Sequence, residues 1–375
     1  MRIRNLFLTV VLSMTLLWLL AWSVASPAAA LATIRYVAPG GNCGAGITPC
    51  YATLQAAIDA ATSGDEVRVA QGVYVNVTTR SYALGGASQT ITQAMFINND
   101  LTVRGGYTIT DWTTAEPANY PTVINPQGQG RGSVIASNPG APALVTLEGL
   151  TIVNGYAEGS GGGLYADSSE VVIRDCYIMS GTDGVMLWNN RSTLINTVIA
   201  ANTMTGSTVI TKGLTVLGGE MQAWHTTLAD NGEVGLWVQN LGENPASVEM
   251  TNTIVSGHQV GVRVAGQVEK PTIVRLTGTL WGNLQQTDFS TGGQIVNDRD
   301  YIGSPGFMGV GDYRLTLTSP ARNRGMYSSV KYDIIGVRRD PLPDLGAYEY
   351  DDPDSIRQVF LPLVMRGATS VKANY

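Results

Sequence analysis

The sequence predicts an all-β protein: a single-stranded right-handed parallel β-helix, or solenoid, with an N-terminal capping helix. Three observations support this prediction. Glycine makes up 44 of the 375 residues and charged residues only 14%, which is typical of turn-rich β structure. A short strand pattern recurs about every 25 residues, as in proteins built from stacked repeats. One amphipathic helical segment precedes these repeats, and none interrupts them.

The first 30 residues have the order of a secretory signal peptide. Arg2 and Arg4 precede an apolar run at residues 6–21, and three alanines follow at 28–30. Charged, apolar and small residues in this order are typical of such signals. We therefore expect residues 1–30 to be a signal peptide and the mature protein to be extracellular or on the cell surface. The alternative is a retained membrane anchor, because the run approaches the ~20 residues that span a bilayer.

Charge and composition argue against two classes of function. The formal net charge of −6 opposes a nucleic-acid partner, because affinity for nucleic acid depends on cationic side chains. Two histidines and three cysteines are too few to build a His/Cys metal cluster. We therefore expect no such metal site and no cofactor.

Two of the cysteines bound a short glycine-rich loop. Cys43 and Cys50 are seven positions apart, and an exported chain meets oxidising surroundings. The loop can bend to bring both sulfur atoms together, so we predict a Cys43–Cys50 disulfide. Cys176 lies in a β-rich stretch, where we expect a buried, reduced thiol that packs like a small apolar side chain.

A helical segment follows this loop. Apolar residues fall on one face of a helix over residues 53–64, namely Leu54, Ala57, Ile58 and Ala61, and Gly64 is placed to end it. A stack of coils leaves unpaired backbone groups at each end. We therefore predict that this helix caps the N-terminal end of the stack.

The repeats place apolar residues at the same position of each coil. One series closes a short strand: Ile152, Ile178, Ile199, Leu228, Val255 and Trp281. A second series lies five residues earlier: Leu147, Ile173, Leu194, Ala223, Met250 and Leu276. Coils about 4.8 Å apart would bury each series as an internal ladder. A β-propeller blade needs ~40 to 50 residues and leucine-rich repeats need a regular Leu/Asn consensus, so neither fold matches.

Polar residues recur at the bend before the strand that carries the first ladder. They are Asp175, Asn196, His225 and Asn252. At a bend, polar side chains can form hydrogen bonds with the backbone of neighbouring coils. We therefore interpret His225 as a bend residue and not as a catalyst.

A further series predicts a row of outward-facing side chains. If Leu164 and its equivalents point inward, strand alternation sends the next residues outward: Tyr165, Met186, Thr215, Trp237 and Arg263. This row contains no carboxylate. The nearby acids share no common position in the repeat, and we expect them on a solvated surface: Asp167, Glu170, Asp175, Asp183, Glu220, Asp230, Glu233 and Glu249.

Several motifs resemble those of a known family. They are Tyr36-Val-Ala-Pro-Gly-Gly, Cys50-Tyr-Ala-Thr-Leu-Gln-Ala-Ala-Ile-Asp-Ala-Ala, Leu101-Thr-Val-Arg-Gly-Gly-Tyr107, Ser319-Pro-Ala321 and Asp344-Leu-Gly-Ala-Tyr-Glu349. Together they resemble bacterial secreted right-handed parallel β-helix proteins of the pectin-lyase-like superfamily, and the closing motifs resemble its choice-of-anchor subgroup. The resemblance implies the β-helix over residues 31–350. It does not imply one function, because the superfamily includes lyases, hydrolases and adhesins.

Two features near the C-terminus stand apart from this pattern. Residues 321–325, Ala-Arg-Asn-Arg-Gly, depart from it, since similar proteins commonly carry an acid there. Residues 351–375 consist of a polar break and a short apolar tail at 359–366, which is too short to span a membrane. The tail resembles sorting or surface-attachment signals of exported proteins; alternatively, it is a strand that covers the open end of the stack.

Two functions fit this sequence. The first is a non-catalytic, monomeric protein that presents an extended surface to an extracellular polysaccharide or a cell-surface component. Aromatic side chains could serve as platforms for sugar rings: Tyr165, Trp188, Trp224 and Trp237. Alternatively, these aromatic residues only cover gaps beside longer turns.

The second function is implied by the family resemblance. It is a polysaccharide lyase or glycoside hydrolase acting on acidic polysaccharide, with Arg263 as the base and Asp230 and Asp183 assisting. Only this alternative would require Ca²⁺, which binds to clusters of carboxylates. The negative net charge and the scattered acids oppose it, so we expect the protein not to be an enzyme.

Overall fold

The computed structural model describes residues 32–84, 87–137, 141–203, 210–266, 272–282 and 284–351. Within them, the chain forms a 3-10 turn at Pro39–Gly41, the helix α1 (Leu54–Ala60) and the strands β1 (Ile34–Val37), β2 (Cys50–Tyr51), β3 (Asp65–Ala70), β4 (Gly72–Tyr74), β5 (Thr78–Leu84), β6 (Ala87–Ile97), β7 (Leu101–Tyr107), β8 (Thr122–Ile124), β9 (Arg131–Ala136), β10 (Leu144–Glu148), β11 (Leu150–Val153), β12 (Leu164–Asp167), β13 (Glu170–Arg174), β14 (Tyr177–Met179), β15 (Val185–Ile195), β16 (Val198–Ala200), β17 (Lys212–Trp224), β18 (Thr227–Gln239), β19 (Ala246–Ala265), β20 (Thr272–Gly282), β21 (Gln286–Thr291), β22 (Gln294–Ile302), β23 (Phe307–Gly309) and β24 (Asp312–Leu315).

Most of these strands form three faces around a common core, which we call faces A, B and C. In one coil, β13 lies on face A, β14 on face B and the first half of β15 on face C. Each strand pairs in parallel with the equivalent strands of the neighbouring coils. Longer strands such as β15 and β19 run through a bend and belong to two faces. The prediction of an all-β parallel β-helix is therefore confirmed.

Both predicted apolar ladders are present in the predicted register. Ile152 pairs with Ile178, and the series continues coil by coil to Trp281. The ladder that begins at Leu147 pairs in the same way through Leu276. All of these side chains are buried in one continuous core. Burial of apolar area at every coil is the main stabilising contribution in such a stack.

The bend between faces A and B carries the predicted polar ladder. Asp175, Asn196, His225 and Asn252 all have positive φ angles, between 47° and 59°. Asn196 Nδ2 donates to Asp175 Oδ1 at 2.8 Å, and Asn252 Nδ2 lies 3.1 Å from His225 Nε2. Burial lowers the pKa of His225 to about 2, so the ring is neutral. The interpretation of His225 as a bend residue is confirmed.

The C-terminal segment, residues 316–350, runs back along this bend. Tyr332 O accepts a hydrogen bond from Asn196, Ser328 bonds His225, and Met326 O accepts from Asn252. A buried ion pair stabilises the segment, with Arg339 Nη1 2.9 Å from Glu349 Oε2. The segment therefore covers the polar ladder along several coils.

The N-terminal cap and the cysteines follow the predictions closely. The Thr53 side chain accepts a hydrogen bond from Ala56 N and starts α1, whose Leu54, Ala57 and Ile58 side chains enter the core. The helix ends at Ala60 and not at Gly64, which lies in the following turn. Cys43 and Cys50 form the predicted disulfide, which fits an extracellular protein. Cys176 is free and buried, as predicted.

The predicted signal peptide at residues 1–30 and the apolar tail at 359–366 lie outside the described residues. Within the part of the chain that the structure describes, no helix is long and apolar enough to cross a membrane.

Candidate binding surface on face C

The predicted outward row forms one column on face C. Tyr165 pairs with Met186, Met186 with Thr215, Thr215 with Trp237 and Trp237 with Arg263. Phe289 extends the column by one more coil. The inward neighbours, from Leu164 to Val262, are buried in the core. The register predicted from strand alternation is therefore confirmed.

Outward-facing does not mean exposed in the first half of this row. Tyr165 is 7% exposed, Met186 6% and Thr215 only 2%, so the expectation of one long open surface is wrong. The first cause is the hairpin of β5 and β6, which folds over the first coils. Its Ile91 belongs to the apolar cluster of Tyr165 and Met186, as does Phe96, which stands in the same column two coils before Tyr165.

A glycine-rich loop is the second cause. We call residues 158–162 the cover loop. The Ser160 carbonyl accepts a hydrogen bond from Arg131 Nη1 at 2.6 Å, and the Ser160 hydroxyl lies 3.2 Å from Lys212 Nζ. A Cβ atom added at Gly161 would lie 2.8 Å from the Cβ of Met186, so only glycine permits this close approach.

The second half of the row is open, and we call Trp237, Arg263 and Phe289 the open row. The Arg263 guanidinium carbon lies 4.4 Å from the Trp237 ring centroid and 5.5 Å from that of Phe289. Lys212 Nζ lies 5.9 Å from the same Trp237 ring. Trp237 and Arg263 are half-buried, and Phe289 is 38% exposed. A cation thus stands between two aromatic rings, as cation–π attraction favours.

The other predicted aromatic platforms do not join the open row. Trp188 lies on face C in the neighbouring column, between Asp167 and Leu217, and packs against the apolar cluster of the covered half. Trp224 pairs with Ile195 and Thr251 on face A. The structure therefore places Tyr165 and Trp188 together in the covered half, and of the four predicted platforms only Trp237 lies in the open row.

The three predicted catalytic residues are only partly brought together. Asp183 is buried on face C, where its carboxylate lies 3.4 Å from Lys212 Nζ, and burial raises its pKa. Asp230 lies at the end of face B, where Tyr313 OH donates to it at 3.4 Å and burial again raises its pKa. Among the described residues, no ion pair joins Arg263 to either acid, and Arg263 Nε is buried without a hydrogen-bond partner.

Two of the predicted scattered acids, Glu170 and Glu220, occupy equivalent positions in the repeat. Glu170, Arg191 and Glu220 occupy one column on face A, and Arg191 Nε lies 3.6 Å from Glu220 Oε2. The expectation that no acids share a position is therefore wrong for Glu170 and Glu220. They line an open groove of about 460 Å³. Nowhere in the described ranges do three or more His, Cys, Asp or Glu side chains form a group that could hold a metal ion.

Three residues at this surface are not among the predicted site residues: Arg131, Lys212 and Phe289. Phe289 could have been found by extending the repeat one coil beyond Arg263. Arg131 and Lys212 each precede the glycine that opens a face C strand, as Asp183 does, and Asp183 and Lys212 belong to neighbouring coils. That shared position is the signal that would have placed these charges together.

Comparisons with known proteins concern the fold. Residues 118–277 match a family described as the right-handed β-helix region. A search of curated proteins finds no match. The crystal structure of pectate lyase Pel9A is similar at 13% identity and a TM-score of 0.43, over 85% of this chain and 96% of that chain. The family match, together with the stacked coils, defines a right-handed parallel β-helix protein.

Proposed function

We propose that this is an exported, non-catalytic β-helix protein whose open row binds an extracellular glycan that bears carboxylates. One observation carries the proposal: Arg263 stands between the rings of Trp237 and Phe289 at an exposed edge of face C. Aromatic rings bury the apolar faces of sugars, and a guanidinium binds a carboxylate through two parallel hydrogen bonds. Consecutive coils about 4.8 Å apart supply these groups in a line.

Local charge supports an anionic ligand although the whole chain is acidic. The Lys212 ammonium and the Arg263 guanidinium both lie near the Trp237 ring. Two acids lie nearby: Asp183 is buried and paired with Lys212, and Asp288, next to Phe289, accepts a hydrogen bond from Asn297 Nδ2 at 3.0 Å. A glycan carboxylate that approaches the open row therefore meets cations first, and long-range steering adds to the attraction.

The same arrangement argues against catalysis. Arginine stays protonated in proteins, so Arg263 is a poor base for removing a proton from a sugar ring. Asp183 is engaged with Lys212, and Asp230 lies on another face. The alternative, a polysaccharide lyase that uses Arg263, would bind the same anionic glycans, so both functions are tested with one set of ligands.

The test compares Trp237→Ala with Trp224→Ala, a matched tryptophan on face A. Binding to polygalacturonate, alginate and neutral dextran is measured by affinity electrophoresis, and unsaturated product is followed by ultraviolet absorbance. We expect binding to an acidic polymer that weakens at least tenfold in Trp237→Ala, is unchanged in Trp224→Ala, and yields no product. Equal retention by both variants would contradict the proposed site. Product that disappears in Arg263→Ala would establish the lyase instead.

A further inference from the structure

Arg131 is a cation without a salt bridge to any described residue. Its guanidinium carbon lies 5.1 Å from the centroid of the Tyr165 ring, and Nη1 donates to the carbonyls of Ser160 and Gly161 at 2.6 and 3.1 Å. Burial lowers the pKa of Arg131, while the charge of Asp183 acts in the opposite direction. Asp183, however, has Lys212 as its ionic partner. Arg131 is only partly buried, and charges at partly buried positions are usually paired with opposite charges, so its guanidinium can still accept an anionic partner.

The cover loop is held over this position by polar contacts. Apart from the Arg131 contacts, its Ser160 hydroxyl bonds Lys212 Nζ at 3.2 Å and contacts the Asp183 carboxylate, and the Gly162 carbonyl accepts a hydrogen bond from Gly132 N at 2.9 Å. Glycines occupy positions 159, 161 and 162, so few side chains of the loop pack into the apolar cluster below. Water or sugar hydroxyl groups can replace such hydrogen bonds at little cost. Moving this loop therefore costs less than opening an apolar core.

The groups beneath the loop continue the open row. Tyr165, Met186 and Thr215 stand in the same column as Trp237. The Thr215 hydroxyl is buried without a hydrogen-bond partner. Tyr165 and Trp237 are three coils apart, or roughly 14 Å at ~4.8 Å per coil. A chain of several sugars could reach from one ring to the other.

We propose that the cover loop closes a second subsite for the same carboxylate-bearing glycan, in which Arg131 binds a carboxylate and Tyr165 contacts the sugar ring. This inference rests on the proposed function of the open row. The glycan carboxylate takes the place of the Ser160 and Gly161 carbonyls on the guanidinium. Short glycans use the open row alone, and longer ones displace the loop and gain the second subsite.

Two glycines of the loop provide a matched pair of variants. Gly161 has φ +77° and a Cβ there would meet Met186 and the Leu164 carbonyl at 2.8 Å, whereas a Cβ on Gly159 would meet nothing within 4 Å. Gly161→Ala should therefore push the loop off the row, and Gly159→Ala should leave it in place. Two readouts apply to both: nitration of Tyr165, followed by mass spectrometry without ligand, and calorimetric affinity for trigalacturonate and hexagalacturonate.

We expect faster nitration of Tyr165 and a five- to tenfold gain in hexamer affinity in Gly161→Ala, the upper end being about 1.4 kcal/mol. Trimer affinity should not change. Adding Arg131→Met to Gly161→Ala should remove the hexamer gain and leave the trimer unaffected. If Gly161→Ala does not fold, Ser160→Ala replaces it, because it removes the Lys212 contact without altering the backbone.

The outcomes separate this inference from the proposed function. Equal Tyr165 nitration in the two glycine variants, or no hexamer gain, would overturn the second subsite, and trimer binding that depends on Trp237 would still support the open row. Trimer binding that is indifferent to Trp237→Ala would overturn the proposed function. The nitration of Tyr165, measured without ligand, would then still decide whether the loop covers this position.

Discussion

The two halves of the row on face C have the same register and a different accessibility. Tyr165 and Trp237 occupy equivalent positions of their coils, and both point away from the core. The β5–β6 hairpin and the cover loop bury the first, whereas the second remains half-exposed beside Arg263. A strand determines the direction of a side chain, but the segments that connect the strands determine whether that side chain meets solvent.

This difference also separates structural from binding roles. In the covered half, an outward side chain packs as a core residue does, so its removal leaves a cavity. In the open half, an outward side chain contributes little to folding and is available to a ligand. Equivalent positions in the repeat should therefore respond in opposite ways to the same substitution.

The largest expected effect comes from a buried charge in the covered half. Met186→Asp places a carboxylate in the apolar cluster with Tyr165 and Phe96 and should lower the free energy of unfolding by about 3 kcal/mol or more. Phe289→Asp, in the open row beside Arg263, should change it by less than about 1 kcal/mol. Urea denaturation of both variants measures the difference, and similar midpoints would show that the halves do not differ in cover.

Removing the aromatic ring of Tyr165 should lower stability, whereas removing that of Trp237 should lower ligand affinity. Tyr165→Ala should cost about 2 to 4 kcal/mol of stability and leave trigalacturonate affinity unchanged. Trp237→Ala should weaken that affinity at least tenfold, or about 1.4 kcal/mol, with a nearly unchanged melting temperature. Calorimetry and thermal denaturation on the same samples test both. Loss of short-ligand binding in Tyr165→Ala would remove the distinction between the halves.

The bend between faces A and B extends the comparison to a partly buried carboxyl, that of Asp175 in the polar ladder. Burial raises the pKa of Asp175 to about 6, above the ~3.9 of an unfolded chain. Because the folded state disfavours the ionised form, stability should fall as pH rises from about 4 to 6. Asp175→Asn keeps the acceptor for Asn196 and should be more stable by about 1 to 3 kcal/mol at pH 8, with no advantage below pH 4.

Asp298→Asn is the control for this pH dependence. Asp298 lies on β22, the last strand of the large sheet in chain order, and its side chain is exposed. Its substitution should not alter the pH dependence of thermal denaturation. A constant gain for Asp175→Asn at every pH would show that the gain does not come from ionisation.

The smallest expected effect concerns Cys176, whose thiol is protected from alkylation because it is buried. Cys176 is 1% exposed, and burial raises the pKa of its thiol to about 12. Iodoacetamide should therefore leave the native protein unlabelled. After unfolding without reductant, it should label Cys176 alone, because Cys43 and Cys50 are bonded. Peptide mass spectrometry distinguishes this from labelling of all three cysteines.

Features whose governing interaction is local, or repeats with each coil, could be predicted from the sequence. The ladder of Ile152 and its equivalents, the polar bend at Asn196 and the cap at Leu54 all follow from spacing along the chain. Contacts between segments that are distant in the sequence could not be predicted in this way. The pairing of Asp183 with Lys212 can be seen in the sequence only by aligning the coils, because 29 residues separate the two positions in adjacent coils.

The sequence by itself therefore determined the β-helix, its register, its capping helix and the outward direction of the row from Tyr165 to Arg263. The physical reason is that strand alternation and coil spacing are properties of short, repeated stretches. Only the tertiary structure decided which part of that row is open. Whether a residue of the row is exposed depends on the position of the hairpin at residues 78–97 and of the cover loop. Both are held by contacts between different coils, such as those of Ser160 with Arg131 and Lys212. No periodic pattern encodes the placement of the hairpin and the cover loop, so the candidate site is shorter than the row that the sequence predicts.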